Sequence, residues 1–275
     1  VFLLARAQGW RGSGGLARAS PLAGSAQERR YGLSAAKGQV MEGAKRLEAV
    51  LVAHGQPGEP EPQEAAMQAL AAQVAGCLPG ATVRGATLAA PGALEAALAG
   101  LDAPIVYPFF MAEGYFTGRV LPARLAAAGS TASQLPPFGT DPALPDLIAR
   151  VTVSAARAQG LDPSAAALLL AAHGSQVSST SKDSTYAMAR ALRPLVPFRR
   201  IEIGLVEEPP HLADAARGLG PAICLPFFAL RAGHVVGDIP EALAEAGFEG
   251  LLLPAIGEHA EVPALIAAAL RRGAG

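Results

Sequence analysis

Two α/β domains in tandem, each a doubly wound four-stranded parallel sheet, are predicted by three observations on this chain. Strand-length apolar runs alternate with helix-length segments from Leu47 onward, the pattern of βαβ units. The runs are apolar throughout and do not alternate, as expected of strands covered by helices on both faces. The whole order then occurs a second time.

In the first half the apolar runs fall at 48–53, 81–87 and 104–110, with a brief fourth strand at 133–135. Between and after them, helices are predicted over 63–78, which is Ala-rich with helical spacing, and over 92–98, 117–128 and 142–156. The segment Ala158-Gln159-Gly160-Leu161-Asp162-Pro163 carries turn chemistry and reads as a linker. Strands then follow at 166–172, 200–206, 221–228 and 250–253, with helices at 182–196, 210–218, 236–246 and 260–272. The predicted division is an N-terminal extension over 1–46 and domains over 47–157 and 164–275.

The repeat is measurable. His173 follows His54 by 119 residues (173 − 54), and Pro226-Phe227-Phe228 follows Pro108-Phe109-Phe110 by 118 (226 − 108). Pro240 follows Pro122, and Pro254-Ala255-Ile256-Gly257 follows Pro136-Pro137-Phe138-Gly139, again by 118 (240 − 122, 254 − 136). Four signatures within one residue of a constant offset identify an internal duplication.

Residues 1 to about 40 differ from the rest. Arg6, Arg11, Arg18, Arg29 and Arg30 stand among Gly, Ala and Ser, with Glu28 the only acid. That composition resembles a transit peptide. Met41 opens the patterned region, however, and the favoured reading is an upstream, disordered extension of the folded chain.

With 275 residues, 51% of them hydrophobic, the chain has ample material for a core. A net charge of −1 lacks the basic excess of a non-specific nucleic-acid binder. No apolar run reaches the roughly 18 residues of a membrane span. Cys77 and Cys224 form no metal-type spacing and no disulfide framework, so a cytoplasmic location and a small-molecule partner are expected.

Three apolar runs of the second half end on polar groups: Ala172-His173-Gly174-Ser175, Gly204-Leu205-Val206-Glu207, and Pro226-Phe227-Phe228 leading to Gly233-His234. Ligands of open α/β sheets bind outside the carboxyl ends where the strand order reverses, and if the order is 2-1-3-4 the first strand lies between the second and third. Neighbouring strands about 4.8 Å apart would then bring His173, Glu207 and His234 around one opening. Two imidazoles and a carboxylate suit a borderline divalent metal; imidazole, with an ordinary pKa of about 6.5, also moves protons near neutrality. Three unrelated loop residues are the competing reading. In the first half Leu88 stands opposite Glu207 and Phe116 opposite His234, so only His54 remains, and it reads as a hydrogen-bonded structural histidine.

In these motifs, together with Asp238-Ile239-Pro240 and Pro254-Ala255-Ile256-Gly257, the chain resembles the class II chelatases of tetrapyrrole biosynthesis, the sirohydrochlorin cobaltochelatase and ferrochelatase family. The likeness covers nearly all of 165–272 and more faintly 48–150. It implies insertion of a divalent metal, cobalt or iron, into sirohydrochlorin for cobalamin or siroheme synthesis, with the metal as substrate and no ATP or organic cofactor. His173 and His234 would bind metal or abstract protons, and Glu207 would assist. For the substrate's carboxylates Arg231 is the first candidate, followed by Lys182 and Arg190, with Ser175 and Gly233 in the same two loops. Ser181 or Asp183 would cap the following helix. Tyr115, Phe116 or Met111 would offer apolar contact from the first half. Short members of that family pair as homodimers, so this chain is expected to be a monomer with an internal pseudo-dimer. A zinc hydrolase built on the same ligand set and a non-catalytic tetrapyrrole or metal carrier are the alternatives.

Overall fold

The structure, a computed structural model, describes residues 46–275 other than Ala232. The expectations for the N-terminal extension therefore lie outside the described residues.

The first strand, β1 (Glu48–Ala53), is buried along nearly its whole length. It lies between β2 (Thr82–Thr87) and β3 (Ile105–Pro108), and β4 (Ser133–Gln134) flanks β3, all parallel. The second sheet repeats the plan with β5 (Ala167–Ala172), β6 (Arg200–Leu205), β7 (Ala222–Pro226) and β8 (Leu251–Leu252). The orders are β2-β1-β3-β4 and β6-β5-β7-β8, so the 2-1-3-4 order assumed for the second half holds in both.

Alternation along the central strands divides each sheet into two covered faces. Val50 and Val52 face an outer cluster with Leu94, Ala97 and Leu98 of α2 (Ala93–Leu98) and Leu121 and Leu125 of α3 (Leu121–Ala127). Ala167, Leu169 and Ala171 face the equivalent cluster beneath α6 (Leu212–Ala216) and α8 (Asp238–Glu245). The other face, Ala49, Leu51 and Ala53 from β1 with Leu168, Leu170 and Ala172 from β5, belongs to one continuous core common to both halves. Fully burying each of these leucines contributes about 1.5–3 kcal/mol.

That common core is closed by an exchange. The first half ends in α4 (Leu144–Ala158), which packs against β7 and against α5 (Thr180–Leu192) of the second half. The second half ends in α9 (Val262–Ala274), which packs against β3 and against α1 (Pro60–Gly76) of the first. Arg272 of α9 reaches the buried Asp141 at 3.0 Å, and Arg150 of α4 reaches Glu261 at 2.6 Å. Beside Asp141, burial and then that carboxylate push the Tyr107 phenol far above its ordinary range.

The elements fall close to the predicted ones, with two informative departures. Residues 117–128 were expected as one helix, but a π-helical turn (Phe116–Val120) precedes α3. His234 was expected in a loop, but it sits in a single helical turn, α7 (Gly233–Val236), where the Gly237 N–H donates to the Gly233 carbonyl at 2.8 Å. No helix among the described residues is long and apolar enough to cross a membrane.

Candidate functional site

β5 ends at Ala172, and His173 is the first residue beyond the sheet. Its Nδ1 lies 2.7 Å from the Gly174 carbonyl oxygen. A carbonyl only accepts, so Nδ1 carries the hydrogen, and the neutral ring keeps its lone pair on Nε2. Gly174 has φ +72°, and a Cβ there would lie 2.9 Å from Glu208 Cγ. The positive φ thus favours glycine, and any larger residue would also push on the Glu208 side chain.

Glu207 is placed by the neighbouring strand, its N–H donating to the His173 carbonyl at 2.9 Å. His234 comes from α7, beyond β7. Its ring meets that of His173 edge-on, with centroids 4.5 Å apart and planes at 84°. One ligand-type atom from each of His173, Glu207 and His234 lies within 4.8 Å of the other two. Three such atoms about 2.0–2.2 Å from one ion sit roughly 3–4 Å apart. The set is thus open by at most roughly one to two ångströms. His173 is exposed and the other two are partly so.

The surrounding loops are braced by residues with other expected roles. Glu208 accepts from the Ser175 N–H at 3.0 Å, and Lys182 Nζ lies 3.2 Å from its other oxygen and 3.0 Å from the Pro209 carbonyl. The Ser175 N–H foremost, with Lys182, holds the Glu208 carboxyl below its usual range against a partial desolvation. Lys182 is therefore a brace between the two loops. Arg190 stands in the last turn of α5, at the far end of that helix from the site. Ser181 and Asp183 do not cap α5; Ser181 Oγ instead accepts from the Gly174 N–H at 3.2 Å. Arg231 is exposed, and its backbone carbonyl accepts from Gln63 Nε2 of α1 at 3.5 Å. Ser175 sits beside His173 with its N–H on Glu208, and Gly233 opens the turn that carries His234.

One sequence equivalence needs correction. The Ala89 N–H donates to the His54 carbonyl at 2.8 Å, as the Glu207 N–H does to His173, and Leu88 donates to Ala53 as Val206 does to Ala172. Ala89, not Leu88, is therefore the counterpart of Glu207. The offset has already fallen from 119 to 118 by the end of the second strand, because Ala53 pairs with Thr87 while Ala172 pairs with Leu205. Phe116 does occupy the place of His234, edge-on to His54 with centroids 4.2 Å apart.

Sequence reasoning counted Asp238 among the family-like motifs but gave it no role; its Oδ2 lies 2.5 Å from His234 Nδ1. The signal was the i,i+4 spacing, invisible while His234 was placed in a loop.

Tandem 2-1-3-4 sheets with an open His-Glu-His cluster at one carboxyl edge fit a class II chelatase of the tetrapyrrole type. The CbiX family model matches residues 167–272. A CbiX described as the terminal enzyme for biosynthesis of siroheme in denitrifying bacteria is 48% identical over 82% of this chain and 98% of its own, with a TM-score of 0.75. On that match, the chain belongs to the CbiX family. DR2241 of Deinococcus radiodurans, a multi-domain protein with structural similarity to chelatases, is 25% identical over 82% of this chain and 54% of its own, at TM-score 0.66. SirB of Bacillus subtilis, solved with Fe3+, is 16% identical over 84% of this chain and 96% of its own, at TM-score 0.64, a likeness of fold. No curated protein matches the chain significantly.

Proposed function

We propose that this protein inserts a divalent metal, cobalt(II) or iron(II), into sirohydrochlorin, with the metal as substrate and without ATP or an organic cofactor. The observation that carries this reading is the convergence of His173, Glu207 and His234, with ligand-type atoms within 4.8 Å, at the carboxyl edge of one sheet. The name of the 48% identical relative favours siroheme as the product pathway.

Insertion requires loss of two pyrrole protons, removal of water from the metal, and approach of metal to ring. His173 and His234 offer Nε2 either to the metal or to a pyrrole proton, and Glu207 completes the set. A positioned base contributes about 10²–10⁴-fold to such proton transfers. Metal pre-bound at the opening lowers the entropic cost of encounter. A partly open three-ligand set suits a metal that must leave.

The macrocycle is large and flat. Among the described residues, four of the six exposed large apolar side chains, Tyr115, Phe116, Val177 and Val236, follow the carboxyl ends of β3, β5 and β7. The Phe116 turn belongs to the first half, yet Ser184 Oγ of α5 donates to the Met111 carbonyl at 2.7 Å, tying that loop to the second half. Tyr115 and Phe116 thus supply apolar surface for the ring, while Arg231, with Ser175 and Gly233, meets its carboxylates. The internal pairing of halves supports action as a monomer, and the free thiols of Cys77 and Cys224 fit a reducing compartment such as the cytoplasm.

The test is an optical assay of sirohydrochlorin with cobalt(II), iron(II) and nickel(II) side by side. A spectral change accelerated catalytically by protein is expected. Stoichiometric binding without acceleration would make the protein a carrier, and a tightly retained zinc with no insertion would point to hydrolysis.

A further inference from the structure

We propose that Asp238 is a positioning residue that holds His234 with Nε2 turned toward the site. Asp238 opens α8 four residues after His234, and the Gly237 N–H to Gly233 carbonyl bond carries the helical path from α7 into α8. Side chains four apart on a helix are neighbours, and here the carboxylate reaches His234 Nδ1 at 2.5 Å. A carboxylate only accepts, so Nδ1 carries the hydrogen and Nε2 is left free. Carboxylates in this position fix the tautomer and ring orientation of metal-binding imidazoles.

His234 needs such a tether more than His173 does. His173 extends directly from a buried strand and is fixed by the Gly174 carbonyl. His234 rides on one helical turn, flanked by Gly233 and Gly237, with its side chain 31% exposed. The first half supplies an internal control. Its counterpart of His234 is Phe116, and the residue four on is Val120, so imidazole and carboxylate are missing together. His54 meanwhile keeps its Nδ1 contact with the Gly55 carbonyl at 2.6 Å. The pair behaves as one unit, separate from the scaffold.

The kinetic arm of the test rests on the proposed chelatase reaction; the binding arm does not. Cobalt(II) titration followed by its visible absorption, and insertion rates with cobalt varied, are measured for Asp238→Ala, Asp238→Asn and His234→Ala. Asp238→Ala is expected to weaken cobalt binding about 10–100-fold and to raise KM for cobalt more than it lowers kcat. Asp238→Asn, whose amide oxygen still accepts from Nδ1, should recover most of the loss. Exposed pairs contribute little to stability, so Tm should stay constant in both variants. Cobalt affinity of Asp238→Ala within twofold of the parent, or no rescue by Asn, overturns the proposal, as does a parent protein that takes up no cobalt(II). A parent that binds cobalt(II) without inserting it defeats the chelatase reading alone, and the binding series still decides the role of Asp238.

Discussion

At the carboxyl edge of the first sheet an imidazole lies against a phenyl ring; at the same edge of the second it lies against another imidazole. The two pairs have nearly the same geometry, 4.2 Å and 81° for His54 with Phe116, 4.5 Å and 84° for His173 with His234. Around them the scaffold is retained. Gly139 and Gly257 donate to the carbonyls of Phe110 and Phe228, and a Cβ at either would lie within 2 Å of the Met111 or Ala229 carbonyl oxygen. What changes is the chemistry carried: Glu207 becomes Ala89, His234 becomes Phe116, Asp238 becomes Val120, and Glu208 becomes Ala90. An aromatic ring of either kind satisfies the packing, so packing cannot explain why the second half has imidazole.

The sharpest way to break this comparison is to treat the two strand-end histidines alike. His173→Ala should lower insertion by at least about 100-fold, while His54→Ala should leave the rate within about threefold; equal losses would put chemistry in both halves. A second experiment rebuilds the missing groups. Ala89→Glu with Phe116→His should add a weak second cobalt site by titration, and adding Val120→Asp should strengthen it, taking the stoichiometry from one toward two.

Smaller effects test the supporting structure. Asp141 is buried and paired with Arg272 across the halves, whereas the side chain of its counterpart His259 accepts from the Glu261 N–H of its own half at 3.3 Å. Asp141→Ala should therefore cost about 1–3 kcal/mol, read as a lower Tm, and His259→Ala less than half of that. The loop after His173 should be acid-sensitive. Since folding lowers the pKa of Glu208, its contribution is complete above the ordinary carboxylate range and fades as pH falls through the folded value. The protection factor of the Ser175 amide, referred to its intrinsic rate at each pH, should fall on acidification as Glu208 is protonated, and Glu208→Gln should flatten that fall. The first-half turn, with Ala90, should show no such component.

The sheets were legible because their strands are continuous apolar runs, and a parallel sheet buried on both faces leaves little other use for such runs. His173 and Glu207 were legible for a related reason: each polar residue stands within two residues of the end of its strand. His234 could be assigned to the same edge but not to a helical turn, since Gly233 and Gly237 bracket it and glycine argues against helix. Asp238 was hidden as a consequence. Lys182 reads as an available cation until Glu208 is seen opposite it, a contact across 26 residues that no local pattern reports. The exchange of α4 and α9 was equally hidden, because amphipathic spacing shows that a helix face is covered without showing by which sheet.

That exchange also governs how the molecule comes apart. A single nick in the turn at residues 159–163 would leave two pieces still clasped, each roofed by the last helix of the other. Neither piece made alone could shield its own sheet, so activity would have to be recovered by mixing them.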